Sequence, residues 1–403
     1  MMRRFSRKKP ETRDLTFADV WKRGMDLSDA RTAAGEPVTY DTAMALTAVY
    51  AAIRLLSDTI ASLPVDIYFR RNGTENVFRP LPQWVTEMNP TLRNHEVLGQ
   101  AMTSLLLDGN AYLATLRDPT GTVLEVTPLD PTSITPKLEE IEGRKVLTFR
   151  SSLSPDEIYT QRDITHIRGL MKPGTIVGLS PIQAAREMIG LGLGAQKFGS
   201  AFFGNGGLPG AMIEVPGQLS DEGIQQLKAN FDRIHQGAGN AHKLSVLTEG
   251  AKFAALGVSN EDSQFLQTRS STVADVARLY GVPSHLLADN SGAASMWGSG
   301  LHEQNVAFSM YSLRPYISRL ESGITTILRS SGISVAYARL DVASLSRGTS
   351  ERWGNYQQGI LSGVYSIDEV RELEGLPPLP NGEGSTHYVP MNMMPVGQTP
   401  TQE

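Results

Sequence analysis

Apolar residues recur along this chain in two long helical registers. Val49, Ile53, Leu56, Ile60 and Leu63 repeat at 4-3-4-3, and so do Leu313, Ile317, Leu320, Ile324 and Ile327. That spacing gathers each set on one helix face. Asp41 or Thr42 is the expected cap of the first helix, and Pro64 its stop. Between the registers the period falls to two. Val65–Arg71, the Asn72-Gly73 turn and Val77–Arg79 read as a hairpin. Asn94 opens a helix to Asp108, and strands are predicted at Ala111–Arg117, Val123–Val126, Ser133–Lys137, Lys145–Arg150 and Ile164–Arg168. Ser180-Pro181, a capping serine with proline at the first helical position, opens a helix to about Phe203.

A smaller unit follows, with strands at Ala211–Val215, Leu244–Leu247 and Phe253–Leu256 and a helix over Ser220–His235. The stripe Ile224, Leu227, Phe231 and Ile234 on that helix reads as core. Ser263 to Arg329 reads as a helix, a stop at Gly281-Val282-Pro283, a small-residue loop over Asp289–Gly300, and a long helix containing Pro315. Beyond it the pattern predicts a strand at Val335–Ala338 and a helix over Ser350–Leu361. A capping box, Ser366-Ile367-Asp368-Glu369, starts a last short helix that Gly375 and Pro377-Pro378 end. The fold class expected is α+β.

Composition narrows the function. The 403 residues hold no Cys, which removes disulfide and thiolate chemistry, and 20% charge with 40% hydrophobic content is ordinary for globular domains. The uncharged run Thr42–Ile53 is too short to span a membrane, and no apolar segment follows the basic start, so the chain reads as intracellular and soluble where it is made. The first nine residues carry five positive charges, so the remainder must hold −10 for the total to be −5. An acidic body suits contact with a passing polyanion better than a grip on it. The basic start reads equally as a loose tail or as a partner-binding arm.

Searches for catalytic chemistry end in simpler explanations. Gly190, Gly192 and Gly194 invite a dinucleotide-loop reading, but Lys197 stands where the third glycine is needed and a helix, not a strand, leads in. Glycines on a helix face are better explained by close approach of another segment. His302-Glu303 and His95-Glu96 lack the second histidine of a zinc helix, and there is no Walker lysine loop or nucleophile elbow. The expectation is a protein with no enzymatic activity, no cofactor and no metal.

Four stretches carry a resemblance. They are Asp108-Gly109-Asn110-Ala111-Tyr112 with Leu129-Asp130-Pro131; His166-Ile167-Arg168-Gly169 through Gly178-Leu179-Ser180-Pro181-Ile182 to Phe202-Phe203-Gly204-Asn205-Gly206; Phe265-Leu266-Gln267-Thr268-Arg269, Val276–Pro283 and Leu313-Arg314-Pro315-Tyr316; and Ile367–Pro380. In order and spacing they resemble the portal, or head-to-tail connector, proteins of tailed double-stranded DNA phages. Gln267 departs from an expected acidic residue, and Tyr316 from an expected tryptophan.

The resemblance implies a ring protomer with an α/β wing, a two-helix stem, a small α/β clip and a long kinked helix behind a tunnel loop. By position it implies a flexible basic arm at 1–40, wing at 41–178, stem helix at 179–204 and clip at 205–258. A second stem helix at 259–284, tunnel loop at 285–300 and kinked helix at 301–329 follow, then a C-terminal wing or crown part at 330–390 and a loose tail at 391–403. It places Asn290, Ser291, Ser295, Met296, Trp297 and Ser299 at the DNA channel, Gly190, Gly194 and Gly199 in stem packing, and the helix kink at Pro315. Lys228, Asp232 and Arg233 would form the clip's partner surface. Trp297 would face either DNA or a neighbouring subunit. Implied partners are further copies in a dodecameric ring, the terminase large subunit, the major capsid protein, a head–tail adaptor and the DNA in transit. The implied location is the capsid portal vertex of the virion, after assembly in the host cytoplasm. Another head–tail connector or tail adaptor ring is the near alternative, and a nucleotide-cofactor enzyme the remote one.

Overall fold

The computed structural model describes residues 31–71, 73–141, 143–204, 211–214, 220, 223–225, 252–255, 261–287, 304–342 and 350–388. In chain order the elements are α1 (Tyr40–Met44), α2 (Thr47–Ala61), β1 (Val65–Arg71), β2 (Thr74–Val77), α3 (Gln83–Thr86), α4 (Asn94–Leu107), β3 (Asn110–Arg117) and β4 (Val123–Leu129). Next come β5 (Ile134–Ile141), β6 (Arg144–Ser151), β7 (Ser154–Thr160), β8 (Ile164–Arg168), α5 (Pro181–Ala184), α6 (Arg186–Gly204), β9 (Ala211–Glu214) and β10 (Lys252–Ala255). The last are α7 (Glu261–Tyr280), α8 (Arg314–Ser330), β11 (Ala336–Leu340), α9 (Ser350–Leu361) and α10 (Ile367–Leu373). The chain divides into two compact units, one of Met1–Ser62 with Ile67–Ala338, the other of Leu63–Asp66 with Arg339–Glu403.

In the first unit, α2 packs against α4 and α7, and α4 in turn covers β3 and β4. The predicted stripe does this work: Val49, Ile53, Leu56 and Ile60 are buried, facing a layer that includes Met102, Leu105 and Leu106. Each such side chain taken from water contributes about 1.5–3 kcal/mol. The start of this helix differs from expectation. Thr39, not Asp41 or Thr42, is the cap: its hydroxyl accepts from Thr42 N–H at 3.1 Å, and Thr42 Oγ1 accepts from Thr39 N–H at 2.7 Å. The helix is also split, with α2 beginning afresh at Thr47.

Two antiparallel sheets complete the larger part of this unit, running β4-β3-β8 and β5-β6-β7, and β1 pairs antiparallel with β2 from Tyr68 to Arg71. Tyr112, Ile134, Leu147, Phe149 and Ile164 form a shared core between the two sheets. β7 was not expected from the sequence, because its burial pattern is mostly exposed and its residues show no clean alternation. β9 pairs antiparallel with β10, matching two strands of the expected small unit; its predicted strand at Leu244–Leu247 and most of its helix lie outside the described residues.

Helices α6 and α7 pack against each other. The expected single helix from Pro181 is interrupted at Ala185, where ψ is 16°. Residues 31–36 of the expected flexible arm are folded onto α6. Ala33 N–H donates to Glu187 Oε2 at 2.9 Å, and Lys197 pairs with Glu36 at 2.9 Å. The more basic beginning of the arm lies outside the described residues.

In the second unit, α9 and α10 follow the sequence closely. Ser366 Oγ accepts from Glu369 N–H at 3.2 Å while Glu369 Oε2 accepts from Ser366 N–H at 2.7 Å, the reciprocal box that the sequence predicts. Arg352 Nε pairs with Glu374 Oε1 at 2.9 Å, and Tyr356 O–H donates to the same carboxylate at 2.9 Å. Gly384 abuts Asp368, whose Oδ1 accepts from Leu379 N–H at 2.8 Å. The chain from 380 to 388 is thereby tied to α10.

Candidate functional site

Two features of the first unit have functional geometry: the base formed where the end of α7 meets the residues leading into α8, and a buried polar joint beneath α5.

At the base, α7 ends where the sequence says it must. Gly281 takes φ 66° and Val282 N–H returns to Ala277 O at 2.9 Å. Tyr280, buried to 3% exposure, donates its hydroxyl to Leu106 O at 3.2 Å and so pins this end to α4. Ser312 Oγ then donates to Gly281 O at 2.5 Å. The two ends of the intervening segment are therefore bonded to each other. The candidate channel residues Asn290, Ser291, Ser295, Met296, Trp297 and Ser299 lie between them, outside the described residues, as do Lys228, Asp232 and Arg233.

The helix that returns from this segment is irregular ahead of Pro315, not at it. Residues Phe308–Leu313 wind as a π-helix, and α8 begins at Arg314 with Pro315 in its first turn. A proline there forfeits no α8 bond, since first-turn N–H groups have no partner within the helix. The disruption is displaced into the wider turns before it. From Leu313 onward the 4-3-4-3 stripe is buried as expected.

The helix glycines divide by neighbour. A Cβ on Gly190 would meet Thr32 Oγ1 at 2.4 Å, and one on Gly192 would meet Thr272 Cγ2 of α7 at 2.9 Å. At Gly194 the nearest atom, Ala34 Cβ, is an ordinary 3.6 Å away. Gly199 is buried. The closest approaches at Gly190 and Gly192 are thus made within one chain, by residue 32 and by α7.

The sequence does not mark the joint as a unit, although most of its members fall in the segments that carry the family resemblance. Asn110 opens β3, and its side chain is fully used. Oδ1 accepts from Gly178 N–H at 2.6 Å and faces His166 Nε2 at 2.9 Å, while Nδ2 donates to Asp108 Oδ1 at 2.8 Å and Gly178 O at 3.1 Å. Arg168 Nε–H donates to His166 Nδ1 at 3.1 Å, so the proton of the neutral ring is on Nε2 and points at Asn110. Burial, with Arg168 adding to it, lowers the His166 pKa to about 3. Tyr40 O–H donates to Asp108 Oδ2 at 2.5 Å, and burial raises the pKa of both groups. Ser180 Oγ caps α5 by accepting from Gln183 N–H at 3.2 Å, and donates to Leu107 O at 2.6 Å.

Three glycines let these strands meet. A Cβ on Gly178 would lie 2.0 Å from Gly109 O, one on Gly109 2.2 Å from Leu179 O, and one on Gly169 3.1 Å from Gly109 O. Asp108-Gly109-Asn110, His166–Gly169 and Gly178–Ser180 are thereby one contact. Both nitrogens of His166 are occupied, and neither an activated nucleophile nor an open ligand position is present in the joint. Among the described residues there is no cluster of three His, Asp or Glu able to hold a metal, and no helix long and apolar enough to cross a membrane. The arrangement is built to fix the angle between the β3–β8 strands and the helix that starts at Pro181.

The family model described as phage portal protein matches residues 47–375. The probable portal protein of Streptomyces phage phiC31 is 41% identical over 380 residues, covering 91% of this chain and 82% of that protein. The portal protein of Enterobacteria phage HK97 is 29% identical over 367 residues, covering 88% and 85%. A chain in the solved neck of a native gene transfer agent particle, computed with C12 symmetry, shares the fold with a TM-score of 0.57 at 21% identity, covering 84% of this chain and 92% of that one.

Proposed function

The chain belongs to the phage portal protein family, and from that premise we propose that its copies form a closed ring at one capsid vertex through which DNA enters and leaves. The observation that carries this beyond family membership is the clamp of Ser312 on Gly281. It ties the end of α7 to the π-helical stretch Phe308–Leu313, the described elements on either side of residues 288–303, and a loop presented into a channel needs such a fixed base. In this reading α6 and α7 form the stem, β9 and β10 belong to the clip, and the β3–β8 region is the wing. A ring of identical copies closes through heterologous contacts, each subunit offering one face to the next. Twelve copies is the expected count, as in the gene transfer agent neck computed with C12 symmetry.

The ring acts as conduit and docking platform, with terminase, the major capsid protein and a head–tail adaptor as its partners and energy supplied by the terminase. Its acidic body keeps phosphates from binding tightly, so the polymer slides. Met296 and Trp297 are the candidates for contact or gating, through bulk or a stacking face. Electron microscopy of the purified chain should reveal closed rings with a central hole. Deleting Asn290–Ser299 should leave the rings intact but reduce DNA packaging or retention. Rings with unchanged packaging and retention would refute the role of the loop, and a stable monomer would refute the ring.

A further inference from the structure

Between β8 and α8 lies a cavity of about 400 Å³ whose polar lining includes Arg168, Arg319, Ser318, Ser322, Thr326 and Gln161. Among the described residues no Asp or Glu lines it. Gly323 lets the two elements approach, for a Cβ there would meet Ile167 Cδ1 at 2.5 Å. Arg168 is oriented by its bond to His166, and burial lowers its pKa because the lost hydration is not offset by a carboxylate. The Arg319 guanidinium carbon stands 5.5 Å over the ring of Tyr316, which holds it at the rim. Among the described residues neither guanidinium has an ion-pair partner. Ser318 and Ser322, one helical turn apart, add hydroxyls on the same face. The described lining is thus a set of donors with no carboxylate to match them.

We infer that this cavity receives a carboxylate side chain from the neighbouring copy of the chain, so that each site is completed only when the ring closes. The inference rests on the ring reading above. Guanidinium forks flanked by hydroxyls match the planar, two-oxygen geometry of a carboxylate. The chain beyond its first nine residues carries −10, so a neighbouring copy presents many carboxylates to a site whose described lining has none. The cavity admits the end of one side chain, whereas a DNA duplex is far too wide for it.

The test uses the full chain. Sedimentation measures the protein concentration at half assembly for the wild type, Arg319→Gln and Ser322→Asp, with circular dichroism to establish that each is folded. Ser322→Asp places a carboxylate in the cavity from the chain itself and should compete with the neighbour. Both variants should remain folded and need at least about tenfold more protein to assemble. In Arg319→Lys rings made from mixed light and ¹⁵N-labelled copies, carbodiimide should join the introduced lysine to an Asp or Glu of the opposite label. Folded variants that assemble at wild-type concentration would overturn the inference while leaving the ring intact. So would variants that assemble normally but lose binding to a short DNA duplex, since the occupant would then be a phosphate. A wild type that never assembles would overturn the ring reading itself.

Discussion

Lowering the pH from 7 to 5 should destabilise this protein through His166. An unfolded chain protonates that imidazole below its ordinary value of about 6.5. The folded chain refuses the proton until about pH 3, because the ring is buried beside Arg168 with its Nε2–H committed to Asn110. The depressed pKa therefore contributes stability that is complete above pH 6.5 and is lost as pH falls toward 3. Over the interval from 7 to 5 the loss is about 2 kcal/mol. The figure barely moves for any folded value below about 4, since the native ring is then still neutral at pH 5. Asp108, whose pKa burial raises, works in the opposite direction, so the quantity to measure is a difference. Urea unfolding at both pH values should show the wild type losing about 2 kcal/mol more than His166→Gln, which keeps an amide donor for Asn110 but does not titrate. Equal losses in the two proteins would refute the buried, neutral histidine.

Other substitutions probe the close contacts. Gly178→Ala drives a methyl carbon to 2.0 Å from Gly109 O, backbone against backbone, and should cost upwards of about 4 kcal/mol, read as lost soluble expression or cooperative melting. On α6 two neighbouring glycines should respond with opposite sign in thermal melts. Gly194→Ala, with only ordinary contacts, should stabilise by about 0.5–1 kcal/mol, while Gly192→Ala, pressed on Thr272, should destabilise by about 1–3 kcal/mol. In the second unit, Ser366→Ala removes the side-chain cap of α10 and should cost about 1 kcal/mol, measured as faster amide exchange across Ile367–Leu373.

Local signals carried the sequence furthest. The stop at Gly281 and the box at Ser366 could be read because each is decided within a few residues by φ and by one or two hydrogen bonds. The cap of α1 fell on Thr39 and not on the expected Asp41 or Thr42, since all three side chains are competent and only the path of the preceding chain selects one. The π-helical stretch before Pro315 left no mark, because its residues are ordinary helix formers. The joint was hidden for a different reason. Asn110, His166 and Gly178 lie in three separate segments, and it takes the pairing of β3 with β8 to set Tyr112 opposite His166 and bring the rest within reach. Family resemblance singled out the same residues without giving them a task.

That joint also bears on how the protein transmits force. Apolar surfaces slide past one another at little cost, because dispersion has no preferred direction. A single amide that bonds Gly178 through both its oxygen and its nitrogen has no such freedom. A pull on the helix beginning at Pro181 would strain these bonds together, with the His166 contact behind them, instead of breaking them one by one. Torque applied to that helix would accordingly reach the β3–β8 strands with little slack, so the two should turn as one lever.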